Sequence, residues 1–294
     1  MNETERCCAR TTLSQASDAL AARDFETTGD ILHQLQNVDL CSTCTAKHND
    51  LMVRLCIRTG RFSQAEPWIL RLEQRGQDCS LFRVSVMLGQ EDMNGAYTLL
   101  RRILDDLALT HPIRGTLLET MAAILVFLER CDEAWDYLVQ ARRQTGKPMD
   151  LRQLIISARI RLGQGDLSRA EAYLERAEES VMCTDHVPGP LLIELVDTRL
   201  YLLELQDAPA IDRIEWRERL FDLTVIYLAP GHPEVWRSFY RFFDDLCEAK
   251  GQTSEALHDA RRCLSRLRPG DDIQDMTEIV EELALMVENL ESPE

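Results

Sequence analysis

The sequence predicts an all-α protein: a solenoid of antiparallel helix pairs with a C-terminal capping helix. Three observations carry this. Apolar residues recur with a period near 3.6 almost throughout, with no sustained period-two alternation. Turn punctuation is sparse, with 13 Gly and 10 Pro in 294 residues, too little for an all-β chain. A small or medium residue recurs early in successive second helices at Thr28, Ala65, Ala96, Ala134 and Ala170, in steps of 37, 31, 38 and 36 residues. It returns at Ala256 after 86 residues, space for two further units. Helix axes about 8–10 Å apart leave room only for small side chains where backbones approach most closely.

The pairs follow in order. The first is expected at 9–22 and 25–37, linked by Arg23-Asp24, where Asp24 can cap the second helix. The second is expected at 44–59 and 63–75, with Gly60 just past the first helix, Ser63 as a cap and Pro67 in the first turn. The third, 79–89 and 93–108, turns between Gly89 and Met93. The fourth, 113–129 and 132–144, opens after His111-Pro112 and stops at Gly146-Lys147-Pro148. The fifth, 149–163 and 167–181, is the cleanest copy, folded back at Gly163-Gln164-Gly165-Asp166. Residues 182–190, MCTDHVPGP, are the most loop-like stretch, so the boundary is placed there: 1–187 for units one to five, and 188–294 for two less regular units and an acidic cap. The sixth pair, 190–206 and 209–228, is the least regular; the seventh, 234–250 and 253–267, is regular again. A last helix, 272–290, has one apolar face and an acidic one, as a terminal cap requires.

Composition excludes several roles. A net charge of −17 repels nucleic acid, whose affinity rests on phosphate contacts. Nine acidic residues and no Lys or Arg lie in 271–294. The longest apolar run, 121–128, is too short to cross a bilayer, so no membrane insertion is expected. The first residues lack the apolar core of a secretory signal, and ten cysteines then read as reduced thiols in a cytoplasmic protein.

This pattern resembles the tetratricopeptide repeat. In the fifth unit the motif falls on Ala158, Gly165-Asp166, Ala170, Leu174 and Ala177. In the fourth it falls on Ala122, Ala134, Leu138 and Ala141, and in the second on Val53, Gly60, Ala65, Ile69 and Leu72. The match covers about two thirds of the chain: good in units two, four, five and seven, loose in one and three, and lost in six, with the family's Trp and Tyr mostly absent from the first helices. The resemblance implies a right-handed superhelix whose first helices line a concave groove that binds a partner.

In that frame the groove holds Lys47, Arg54 and Arg58 in unit two, Thr116 and Glu119 in unit four, Arg152 and Arg159 in unit five and Arg241 in unit seven. Guanidinium forks take carboxylates bidentately, so the expected ligand is an acidic or C-terminal segment of a protein or peptide partner. The ordinary alternative is that these arginines are solvated helix-surface residues whose stems cover apolar neighbours. A second candidate is Cys41, Cys44 and His48, three potential zinc ligands with Cys7, Cys8 or His33 as a fourth; a single CxxC is weak, and free Cys at a turn is commonly a small core filler. Zinc apart, no cofactor is expected. Gly163-Gln164-Gly165 lacks the strand and Lys-Ser/Thr of a phosphate loop. No catalytic constellation stands out. The expected function is a non-enzymatic scaffold or adaptor, extending to chaperone-like binding. The alternative is the sensory or regulatory part of a signalling system that binds a peptide or small molecule.

Overall fold

The computed structural model describes residues 3–146, 148–184, 186–229, 232–251, 254–264 and 266. Among them are fourteen helices and no strand. The helices are α1 (Glu3–Ala21), α2 (Phe25–Gln36), α3 (Ser42–Arg58), α4 (Phe62–Glu73), α5 (Ser80–Gly89), α6 (Met93–Asp106) and α7 (Arg114–Phe127). There follow α8 (Cys131–Thr145), α9 (Leu151–Gly163), α10 (Leu167–Met182), α11 (Gly189–Leu205), α12 (Ala210–Tyr227), α13 (Pro233–Lys250) and α14 (Ser254–Leu264). All seven expected pairs are present. Their ends match the sequence pattern closely, except that α1 begins at Glu3. The capping helix expected at 272–290 lies outside the described residues.

The residues aligned by the repeat are its packing points. Thr28, Ala65, Ala96, Ala134, Ala170 and Ala256 are all fully buried. In five of the second helices a large or small apolar residue follows at four and again at seven positions on: Leu32 and Leu35, Ile69 and Leu72, Leu138 and Ala141, Leu174 and Ala177, Ala260 and Cys263, all buried. That spacing is one stripe of an α-helix, and fully burying a leucine in it contributes about 2 kcal/mol.

Each hairpin turn holds one left-handed residue: Arg23, Gly60, Glu91, Glu129, Gly165, Asp207 and Gly251. In six of them the next residue's N–H reaches back five positions, as in Arg61 to Cys56, Arg130 to Leu125 and Asp166 to Arg161. These are Schellman closures, which satisfy orphan carbonyls at the end of the first helix. Asp24, Asp92 and Asp166 then accept from the N–H three residues on and cap the second helix. Four of the seven left-handed positions carry a side chain, at a steric cost of roughly 1–2 kcal/mol each. Glu129→Gly, at an exposed turn, is therefore expected to raise stability by about 1 kcal/mol, net of glycine's extra unfolded-chain entropy. Urea unfolding checks this; an unchanged or lower midpoint contradicts it.

One local expectation is corrected. Pro67 is the sixth residue of α4, not in its first turn. The helix starts at Phe62 with Arg61 as N-cap, so Ser63 is inside the helix rather than its cap, and the ladder loses the bond residue 67 would donate to the Ser63 carbonyl. The chain forms two compact units, 1–145 and 146–294. Within the second, Leu195 and Leu202 of α11 belong to the same core as Leu154, Ala158, Leu174 and Ala177 of α9 and α10, so packing bridges the loop between them.

Unit 1, 1–145, contains α1 to α8. One core joins α1, α2 and α3 through Leu13, Ala16, Leu32 and Leu51; the next joins α3, α4 and α5 through Val53, Ala65, Ile69 and Val86. Unit 2, 146–294, has as its described part α9 to α14. Its cores join α9, α10 and α11, then α11 and α12, then α12, α13 and α14. The last is built on Phe221, Phe239 and Phe242, with Trp236 and Phe243 packed against it. Cys56, Cys131 and Cys263 are buried and Cys247 half-buried, as their apolar phases imply; burial pushes the Cys263 thiol up to about 11.

Unit six departs from the repeat for a visible reason. Where α2, α4, α6, α8 and α10 place their small residue fourth, α12 places Arg213, and one turn later Arg217, which is 4% exposed. Both guanidiniums grip Asp245 of α13, at 2.6 Å from Arg213 and 2.7 Å from Arg217. Glu204 at the end of α11 also pairs with Arg217, and Glu248 with Arg213. A buried ion network occupies the place of small-residue packing.

Candidate functional site

The first helix of each pair carries the candidate face, and each unit presents its own. In unit 1, Lys47, Asp50, Arg54 and Arg58 fall at spacings of three and four along α3, so they form one exposed stripe. Arg54 donates Nε to Asp50 at 2.7 Å, and its guanidinium lies 5.3 Å from the centre of the Phe82 ring on α5. This is a cation–π contact between successive first helices. Lys47 and Arg58 flank that pair and make no ion pair among the described residues. Thr116, on α7, is exposed as expected. Glu119 is not: it is 7% exposed, beside the buried Leu118 and Ala122. The outward stripe of α7 runs instead through Thr116, Thr120, Ala123 and Phe127, and Glu119 is one helical step off it.

In unit 2 the face is more organised than the arginines alone suggested. Arg159 of α9 reaches across to α11, where Nε donates to Thr198 Oγ1 at 2.8 Å and Nη2 to Asp197 at 3.0 Å. Arg241 of α13 approaches the other oxygen of Asp197 at 3.5 Å. One carboxylate therefore ties the first helices of three successive pairs together. Arg159 is largely covered, while Arg241 keeps 48% of its side chain exposed. Arg152 is half-buried near the start of α9. Tyr201, one turn beyond Asp197, and Tyr240, beside Arg241, are 46% and 41% exposed.

At the start of α13, burial pushes the Glu234 carboxyl up, and nearby Asp197 adds to the effect against Arg237 and Arg241. His232 caps this helix by accepting from the Glu234 N–H, and burial holds its imidazole below the ordinary histidine value. The cluster is thus a set of fixed charges of both signs beside two half-open tyrosines. It offers guanidinium donors and aromatic faces for binding. Asp197, Glu234 and Tyr201 were not singled out by sequence. The signal available was the position of Asp197-Thr198 and Tyr201 on one face of a first helix, hidden because unit six breaks the repeat.

The zinc candidate's three residues lie at the start of α3. Cys41 is the N-cap of α3, and Cys44 is buried below it. His48 is also buried, with Nε2 donating to the Leu32 carbonyl at 2.9 Å and the ring edge-on to Trp68. That bond ties α3 to α2. Among the described residues no three His, Cys, Asp or Glu side chains come together as a metal site. The side chains of Cys7 and Cys8 lie outside the described residues. Burial, with Cys41 adding to it, pushes the Cys44 thiol up.

No protein-family model and no curated protein matches the chain. Among solved structures it is similar to a tetratricopeptide repeat protein from Parabacteroides merdae ATCC 43184, with a TM-score of 0.52 and 14% identity. The match covers 88% of this chain and 98% of that one. At this identity the likeness is one of fold: a tetratricopeptide-repeat-like array of helix pairs.

Proposed function

We propose that this protein is a non-enzymatic interaction scaffold that holds a segment of a partner protein against the faces of its first helices. The fold supports this at the general level, since such arrays of helix pairs commonly present surfaces for protein partners. The observation that carries the finer reading is the α3 stripe: three cations against one carboxylate, with Lys47 and Arg58 outside any ion pair among the described residues. In unit 2, exposed Arg241, Tyr201 and Tyr240 are residue types that dominate binding energy at protein interfaces. The partner chemistry that matches is a segment with acidic side chains or a terminal carboxylate, bound bidentately by guanidinium. A reducing, cytoplasmic setting agrees with the free thiols among the described cysteines. No described helix is long and apolar enough to cross a membrane.

The test is charge reversal. Lys47→Glu with Arg58→Glu, on immobilised protein exposed to extract of the source cell, is expected to lower capture of the specific partner at least about tenfold, the effect of losing roughly 1.4 kcal/mol. Arg176→Glu, on the exposed side of a second helix, should leave capture unchanged. Equal capture by all three proteins would falsify the assignment of this face.

A further inference from the structure

The first turn of α3 places two thiols together, Cys41 as the N-cap and Cys44 as the third residue of the helix. We propose that this pair is a reversible dithiol–disulfide site, closed by a low-molecular-weight disulfide such as oxidised glutathione and reopened by the matching thiol. In a reducing setting the pair rests open. Its chemistry does not depend on the proposed partner face.

Three observations converge on the pair. The first is reach. Residues three apart at the start of a helix have Cα atoms about 5 Å apart, inside the range a disulfide spans. A helical side chain leans back toward the N-terminus, so the Cys44 thiol is aimed at Cys41, and the two thiols are in hydrogen-bonding contact. The second is access. Cys41 is half-buried, with exposed Ser42 and Thr43 beside it, whereas Cys44 is 2% exposed. A small disulfide can therefore meet Cys41 and not Cys44. The third is what the turn gives up and what it keeps. An N-cap is ordinarily Ser, Thr, Asp or Asn, whose oxygen accepts from the first turn, but the Cys41 side chain makes no capping bond. The backbone is fixed by other means. The Cys41 carbonyl accepts from Thr45 N–H at 2.9 Å and from Thr45 Oγ1 at 3.1 Å, and Arg75 donates Nη1 to the Ser42 carbonyl at 3.1 Å. Arg10 of α1 stands beside Cys44, and a cation at a thiol favours the thiolate that exchange requires.

Exchange runs in two steps. Cys41 gives its proton to water, and its sulfur attacks one sulfur of glutathione disulfide. A mixed disulfide forms, and one glutathione leaves as a thiolate that takes up a proton. Cys44 then gives up its proton and attacks the Cys41 sulfur. The protein disulfide forms and the second glutathione leaves in the same way. Two protein thiols are oxidised, and one glutathione disulfide is reduced to two thiols.

The experiment is a titration of the full chain in glutathione buffers of rising oxidised fraction, quenched with acid, alkylated, cut with trypsin and read by mass spectrometry. Cleavage after Arg23 and Lys47 gives a peptide, 24–47, that holds Cys41 and Cys44 and no other cysteine. The expected product is this peptide about 2 Da lighter than its dithiol, with neither alkyl group nor glutathione attached. Cys183, exposed and alone in its peptide, should instead take glutathione as a mixed disulfide. In concentrated urea, closing the pair should need at least about tenfold more oxidised glutathione, because the fold no longer holds the thiols together. Cys44→Ser should stop exchange at the mixed disulfide and leave glutathione on Cys41. Cys41→Ser should leave the Cys44 thiol unmodified at the oxidised fraction that closes the parent. Four results in the parent overturn the proposal: a 24–47 peptide still fully alkylated where Cys183 carries glutathione, a stable mixed disulfide at Cys41, a bridge from 24–47 to the peptide of Cys7 and Cys8, or the same midpoint with and without urea.

Discussion

Asp245→Ala is expected to destabilise unit 2 by about 3 kcal/mol, the low end of the cost of breaking a buried ion network by removing one partner. The carboxylate is 5% exposed and accepts from both Arg213 and Arg217. Its loss leaves two guanidiniums in the α12–α13 contact with the Ala208 carbonyl and, as carboxylates, Glu248 and Glu204 at the exposed edge. Urea unfolding followed by fluorescence reads this directly, because Trp216 and Trp236 report on unit 2. Replacing the set with apolar side chains, as in Arg213→Met, Arg217→Met and Asp245→Leu together, should restore most of the loss, since well-packed hydrophobic groups substitute for buried ion pairs at little cost. Burial raises the Asp245 carboxyl, but hydrogen bonds from Arg213 and Arg217 outweigh it and hold the group below the ordinary aspartate value. A depressed folded pKa gives stability that is present above the unfolded value and lost as pH falls through the folded one. Unit 2 should therefore weaken below about pH 4, and Asp245→Asn should flatten that decline. A variant as stable as the parent, with the same acid profile, would show that the network contributes nothing.

Ala170→Leu is expected to cost about 1–3 kcal/mol by overpacking. Ala170 and Ala158 are both fully buried in one core, where α9 and α10 approach most closely. Three extra carbons there must push the helices apart or force strained rotamers. Ala172→Leu, an exposed position on the same helix, makes the identical chemical change without that contact and should leave the melting temperature nearly unchanged. Similar melting temperatures for the two variants would remove the packing explanation of the repeat.

These two sites also mark where the sequence was readable and where it was not. The Ala170 type of signal is local: one small residue, one helical period, one turn. It located six of the seven hairpins, and every aligned slot is buried. Unit six was unreadable because its equivalent slots hold Arg213 and Arg217, whose burial depends on an aspartate some thirty residues away. The hairpin turns were partly hidden for a similar reason. The left-handed position is Gly60, Gly165 and Gly251 in the units that matched well, but Arg23, Glu91 and Asp207 in the loose or lost ones. Unit four matched through its alanines although Glu129 fills its turn.

The candidate face was legible in part. Lys47, Arg54, Arg58 and Thr116 lie outward as the helical phase requires. Glu119 does not, because an error of about 100° in phase turns a residue from surface to core. Arg159 and Arg241 were found, but their shared partner Asp197 sits in the unit whose frame was missing. Cys44 and His48 share a face of α3 as their spacing implies, but the bond from His48 to the Leu32 carbonyl was not legible in the sequence.

The central claim is that partners dock on the first helices and not on the second. Site-specific photo-cross-linking measures this most directly, with a photoreactive residue placed in turn at Arg58 and Tyr201, and at Gln140 and Glu175 on exposed sides of α8 and α10. The account predicts a defined cross-linked protein from Arg58 or Tyr201, competed by excess unlabelled chain, and none from Gln140 or Glu175. The same product from Gln140 or Glu175, with none from the first two positions, would contradict it.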